Sequence, residues 1–167
     1  SGRVASAMVQ SPHVRALSFT GSVPVGQIIA EAATARGVKV QLELGGHNAA
    51  IVMPDVDSVF AAKQLTVGAM SGSGQKCTAT RRIITVGDAH EGFVAALKAE
   101  VEALVVGPGS QAGVTTGPVI SASAKKEIDG AVSDAVAQGG RIIAQAKLPE
   151  GPGFYVAPTV LEGDMTI

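Results

Sequence analysis

Tryptophan is absent, tyrosine occurs once and phenylalanine four times in the 167 residues, so any core this chain builds is aliphatic. Valine, isoleucine, leucine and alanine must supply the packing, and a hydrophobic content of 46% is enough for an ordinary domain and speaks against disorder. Cysteine is as scarce. The one residue, Cys77, rules out an internal disulfide and makes a reducing, cytoplasmic setting the expectation. Charge of neither sign is in excess: 13 basic against 14 acidic residues give a net charge of −1, no electrostatic reason to expect nucleic acid as a partner. No apolar run approaches the roughly 20 residues needed to span a bilayer, so a membrane role is unsupported. No secretory signal, internal repeat or low-complexity tract is present. His13, His47 and His90 lack metal-ligand spacing, and with no second cysteine to join them no metal is expected. An initiator methionine is missing too, and the chain stops at "LEGDMTI", so the expectation is a piece of something longer.

The residues that are present alternate between strand-like and helix-like stretches. "RVASAMVQ" has helical character, and "VRALSF" (14–19) is an apolar run of strand length. The turn "TGSVPVG" follows, then a helix-forming "QIIAEAATA" ended by Gly37, suited to a left-handed C-cap. In "VKVQLELGG", Val38, Val40, Leu42 and Leu44 share one face and Lys39, Gln41 and Glu43 the other, which reads as a half-buried strand. "AAIVM" (49–53) reads as a strand, and "DSVFAAKQLTVGAM" as a helix capped by Asp57 or Ser58. "RIITV" (82–86) is strand-like, and Phe93, Leu97, Val101 and Leu104 then form a stripe at helical spacing. After the loop "GPGSQAGVTTGP" come a helix with Ile128, Val132 and Val136 aligned, a strand "RIIAQA", a loop "KLPEGPG" and a last strand "FYVAPTVL". Strands alternating with helices predict an α/β fold with much parallel pairing.

Four stretches bear on chemistry. "FTGSVPVG" (19–26) places Gly21 and Ser22 where a strand turns into a helix, whose free N–H groups attract phosphate; the stretch lacks G-x-G-x-x-G spacing, and Ser22 as a simple helix cap is the plainer alternative. "LELGG" (42–46) ends a strand with a carboxylate beside two glycines, which makes Glu43 either a general base or a solvated side chain. "SGSGQKCTAT" (71–80) sets Cys77 in a glycine-rich, half-polar loop, unlike the apolar surroundings of a packing cysteine. Glycines let backbone N–H groups converge as an oxyanion site requires, and Lys76, Arg81 and Arg82 add positive charge that favours a thiolate; an inert loop thiol is the alternative. His47 gives a fourth possibility, a Cys-His acyl hydrolase. An α/β piece that keeps the fold without catalysing anything is a further alternative.

"FTGS" with Gly26 following, "LELGGHN", and "GQKCTA" resemble three successive signature blocks of the aldehyde dehydrogenase superfamily, in order, and the resemblance runs on through Gly117-Pro118 to "PTVL". "GQKCTATRRIIT" is also similar to members acting on 2-oxoglutarate or succinate semialdehyde. The resemblance implies that residues 1–44 are the C-terminal part of a Rossmann-like NAD(P)-binding domain and 45–167 a partial catalytic domain with a parallel-rich sheet. It implies Cys77 as the nucleophile that attacks an aldehyde and becomes a thioester. Glu43, its pKa raised by partial burial, would activate the hydrolytic water. Gly21, Ser22, Val25 and Gly26 would approach the pyrophosphate of NAD or NADP, and Leu44 with Gly45 would lie along its nicotinamide. Full members also carry an asparagine, a ribose-gripping lysine and an "E-x-F-G-P" block that these residues do not contain, and the resemblance implies a full-length parent that is a homo-oligomer. Exposed sheet edges and activity only within a longer chain are the corresponding expectations.

Overall fold

A computed structural model describes residues 2–163. The chain falls into two compact units, Ser1–Gly46 and His47–Ile167.

The first unit is helix α1 (Gly2–Gln10), strand β1 (Ala16–Gly21), helix α2 (Val23–Ala35) and strand β2 (Lys39–Leu44). β1 and β2 pair in parallel, Ala16 opposite Lys39 through Gly21 opposite Leu44, so α2 is the crossover of a complete βαβ unit. The alternation in "VKVQLELGG" is realised, since Val40, Leu42 and Leu44 are half-buried and Lys39, Gln41 and Glu43 exposed. α2 starts at Val23, four residues before the sequence pattern places it, because Pro24 fits the first turn. β1 correspondingly runs on through Thr20 and Gly21, which read as turn residues in the sequence. The end of α2 is as expected. Gly37 has φ +65°, the Gly37 N–H donates to Thr34 O at 3.0 Å and the Val38 N–H to Ala33 O at 2.9 Å, which is a Schellman closure. The Arg36 guanidinium donates to the carbonyls of Val9, Ser11 and Val14, and so satisfies the end of α1.

The second unit opens with another βαβ arrangement, strand β3 (Asn48–Val52), helix α3 (Ser58–Met70) and strand β4 (Thr80–Thr85), with β3 and β4 parallel. Asp57 caps α3, accepting from the Phe60 N–H at 2.8 Å. Helix α4 (Ala89–Glu102), helix α5 (Ala122–Ala137), strand β5 (Arg141–Gln145) and strand β6 (Thr159–Glu162) follow. The stripe predicted on α4 forms the core: Phe93, Leu97 and Val101 pack with Val52, Ala61, Ala62 and Ala144, and Leu104 lies at its margin.

Parallel pairing holds for two of the three ladders, in keeping with the expected α/β fold, and β5 and β6 pair antiparallel. Two details differ from the sequence reading. β6 is four residues, not the eight of "FYVAPTVL", because Pro158 has no N–H for a ladder and the Phe154 carbonyl is taken by the Val119 N–H at 2.9 Å. The α5 stripe is not buried: Ile128 and Val132 line a hollow and Val136 is 43% exposed. Among the described residues β4 pairs only with β3 and β6 only with β5. Between these strands lies an apolar hollow of about 550 Å³, lined by Ile83, Phe93, Leu97, Ile128, Val132 and Val160 among others. His90 closes part of its rim, its Nδ1 3.0 Å from Thr85 Oγ1 and its Nε2 2.8 Å from Glu162 Oε1. No described helix is long and apolar enough to cross a membrane.

Candidate active site

Between α3 and β4 the backbone reverses hand. Gly72, Ser73 and Gly74 have φ of +63°, +58° and +66°, and Ser73 is the single described non-glycine residue with positive φ. Glycine removes the Cβ conflict that makes this conformation unfavourable, so "SGSG" permits a left-handed turn that most sequences would resist. Ser73 is held in it by its hydroxyl, which donates to the carbonyl of Gly117 at 2.9 Å and lies 3.4 Å from that of Pro118. Gln75 Oε1 accepts from the Ile120 N–H at 2.9 Å and ties the same two loops again.

The chain then enters a turn, Lys76 to Ala79, closed by the Ala79 N–H donating to Lys76 O at 3.1 Å. Cys77 is its second residue and is exposed. Among the described residues no hydrogen bond engages the Cys77 N–H, so thiol and amide are both open to an incoming carbonyl. Cys77 is not sealed among aliphatic side chains, but it does not line the apolar hollow either, although Ser73, Gly74 and Arg81 from the same segment do.

The cations near Cys77 are directed elsewhere. Arg81 Nη2 donates to Gly74 O at 2.8 Å, Arg82 Nη2 to His47 O at 3.1 Å, and Lys76 Nζ lies 3.4 Å from Ser71 Oγ. They tie the loop to its surroundings. His47 is exposed, and among the described residues no hydrogen bond joins its ring to Cys77, so nothing in the geometry favours the Cys-His pairing. The residue that does reach the cysteine segment is Asn48, whose Nδ2 donates to Cys77 O at 2.7 Å and to Ala79 O at 3.0 Å. Its signal in the sequence is its place in "LELGGHN", two residues after the glycine pair, at a strand start.

On the first unit, Glu43 stands at the end of β2 and is exposed, accepting from Gln41 Nε2 at 3.3 Å. The partial burial expected of it is not found, because the β2 register turns residues 39, 41 and 43 to solvent. Ser22 is the N-cap of α2 by position, yet its side chain makes no capping hydrogen bond, so the hydroxyl is left unspent. Gly26 is buried against Leu44: a Cβ there would sit 2.7 and 2.9 Å from the two Leu44 methyls. A Cβ at Gly21 would lie 2.5 Å from the Phe19 ring, whereas one at Gly45 meets nothing within 4 Å. Val25 is 44% exposed.

The Aldehyde dehydrogenase family model matches residues 1–167. This chain belongs to the aldehyde dehydrogenase family. The chain is 36% identical over 162 residues to a glutarate-semialdehyde dehydrogenase from Pseudomonas aeruginosa, covering 96% of this chain and 33% of the relative. It is 37% identical over 174 residues to an alpha-ketoglutaric semialdehyde dehydrogenase from Bacillus subtilis, covering 98% and 35%. Among solved structures, a methylmalonate-semialdehyde dehydrogenase from Oceanimonas doudoroffii superposes with a TM-score of 0.87 at 34% identity, over 94% of this chain and 33% of that one. An aldehyde dehydrogenase C variant from Pseudomonas syringae, complexed with NAD+ and octanal, gives 0.91 at 27% identity, over 100% and 36%. The chain therefore spans about a third of the length of the family members it matches, and shares their α/β fold over that third.

Proposed function

We propose that these residues carry the nucleophile, the hydrolytic base and part of the cofactor site of an NAD(P)-dependent aldehyde dehydrogenase, with a semialdehyde as substrate and the cytoplasm, which keeps a lone thiol reduced, as its setting. The observation that carries this reading is the exposed Cys77, set on a turn with its own N–H unbonded, in a chain matched throughout by the family model. The names of the semialdehyde dehydrogenases above support the substrate class.

In this reading the Cys77 thiolate adds to the aldehyde carbon, forming a C–S bond and a thiohemiacetal oxyanion toward which the Cys77 N–H is free to donate. NAD or NADP, when bound, supplies the acceptor for the hydride released as that oxyanion collapses to a thioester. Glu43 then takes a proton from water, the hydroxide adds to the thioester carbonyl, and the C–S bond breaks to return the thiolate and release a carboxylic acid. The residues fit the cofactor as well: the N-terminus of α2 offers N–H groups and an unspent Ser22 hydroxyl to a pyrophosphate, with Gly21, Val25 and Gly26 around it. Leu44 and the open flank of Gly45 would receive the nicotinamide.

The test is aldehyde-dependent reduction of NAD(P) by the chain within its longer parent. Cys77→Ala should abolish it. A variant that keeps the activity would overturn the assignment, and ester cleavage that is independent of Glu43 and requires His47 would favour a hydrolase instead.

A further inference from the structure

Asn48 is poised to set the orientation of one peptide group, the one joining Cys77 to Thr78. That group is the centre of the Lys76–Ala79 turn. The central peptide of such a turn has two settings related by a flip of about 180°, which exchanges ψ near −30° for +120° at the second residue and moves φ of the third residue from negative to positive. In this structure Thr78 does not have positive φ, so the turn is not in the flipped form. The Cys77 carbonyl belongs to that central peptide, and it is the acceptor of the shorter Asn48 bond, 2.7 Å. The second bond, 3.0 Å to Ala79 O, uses the other amide hydrogen and fixes Asn48 to the residue that closes the turn, one of the buried ones. With both hydrogens committed, the amide has one orientation. A flip would turn the Cys77 carbonyl away and leave one hydrogen unpaired.

The frame on which Asn48 stands is built for this. Asn48 opposes Thr80 across the β3–β4 ladder but Ala49 opposes Arg82, so Arg81 is an extra residue, a bulge directly after the turn. Bulges re-aim side chains beside sites. The bulged Arg81 reaches back to the Gly74 carbonyl at 2.8 Å, so the residues before and after the turn are joined.

We propose that Asn48 is a positioning residue that locks the Cys77–Thr78 peptide, and thereby keeps the Lys76–Ala79 turn, which carries the Cys77 N–H and Sγ, in a single backbone form in which both can address one carbonyl group. The inference rests on the reading of Cys77 as nucleophile. It distinguishes two thiol reactions. Acylation by p-nitrophenyl acetate, in which the thiolate adds to the carbonyl and p-nitrophenolate leaves, builds up an oxyanion. Alkylation by iodoacetamide, in which iodide leaves, builds up none.

The experiment measures both rates on the full chain, with the attachment at Cys77 read by mass spectrometry. Asn48→Ala should slow acylation about five- to tenfold, the scale of one or two lost hydrogen bonds, while alkylation changes less than twofold. Asn48→Asp, equal in shape but presenting oxygens to two carbonyls, should slow acylation at least as much; tolerance of aspartate with the wild-type rate would show a packing role and sink the proposal. Thr78→Gly opens positive φ to the third turn residue. Alone it should slow acylation less than Asn48→Ala does, and combined with Asn48→Ala it should slow it more than the product of the two single effects. Strict multiplicativity in that cycle overturns the lock. If Cys77→Ala leaves acylation untouched, the nucleophile reading itself fails; if Cys77→Ala abolishes acylation and Asn48→Ala does not slow it, only the positioning role fails. Should Asn48→Ala not fold, Thr78→Gly against Thr78→Ala decides alone, with glycine the slower.

Discussion

Gly26→Ala is the substitution for which the structure gives the sharpest arithmetic. An alanine Cβ at this buried position on α2 would lie 2.7 Å from Leu44 Cδ2, 2.9 Å from Cδ1 and 3.4 Å from Cγ. Carbon atoms in ordinary contact stand about 3.5–4.0 Å apart, so relief needs a movement of roughly 1 Å. Rotating the end of Leu44 does not provide it, because both methyls are in the way and the rotation exchanges one for the other. The leucine must change its first torsion or β2 must shift against α2. Overpacking of this kind costs about 1–3 kcal/mol. Against it stands the gain of replacing glycine by alanine in a helix, up to about 1 kcal/mol and less near the N-terminus. A net loss of about 0–3 kcal/mol is expected, and Leu44→Ala in the same chain should recover it, with a coupling of about 1–3 kcal/mol between the two sites. Urea unfolding followed by far-ultraviolet circular dichroism on the four chains of the cycle measures it. A Gly26→Ala chain more stable than wild type by the full helix gain, with no coupling to Leu44, would refute the close-approach argument and free Gly26 to be explained by its ligand alone.

Other expectations are simpler. Phe93→Ala empties the centre of the α3–α4 core, where Phe93 is 1% exposed, and should cost about 3–5 kcal/mol in the same denaturant assay. Asp57→Ala removes the Phe60 cap of α3 and should cost about 1 kcal/mol, with Asp57→Asn keeping most of it. Ser73→Ala loses the bond to Gly117 O and keeps the positive φ, so it should be less stable than Ser73→Gly, which loses the bond but relieves roughly 1 kcal/mol of backbone strain; the reverse order in thermal melts would contradict the left-handed turn. Glu43→Gln should spare formation of the thioester on Cys77 and slow its hydrolysis, seen by intact mass as an accumulating acyl adduct; prompt turnover would remove Glu43 from the mechanism.

What the sequence made legible follows from how local the cause is. The β2 alternation, the α4 stripe, the Asp57 cap and the Gly37 closure each depend on residues within one or two turns of one another, and each stands in the structure as read. The motifs around Cys77 and Glu43 were legible for the same reason, being contiguous. Illegible features depend on what comes near from far along the chain. Pro158 shortens β6 because a ladder partner would need its missing N–H, and the α5 stripe faces a hollow, which periodicity cannot distinguish from a core. Asn48 lies 29 residues from Cys77, and only the β3–β4 register with its bulge at Arg81 brings them together. Glu43 was expected to be partly buried on the strength of its role; the parity of β2 decides otherwise.

The mirror-handed stretch Gly72–Gly74 has a consequence for how this protein tolerates change in length. A right-handed helix that ends in a turn of opposite hand acts as an escapement: lengthening α3 by one residue swings its exit by about 100°, and the next three residues have no slack with which to unwind the error. Insertions and deletions should therefore be rejected anywhere from Met70 to Thr80, while the glycine- and proline-rich 107–118 connection, away from its two anchoring carbonyls, should accept them. The spacing between the end of that helix and the sulfur is a gauge length, and a library of random indels across both regions would display it as a gap in the survivors.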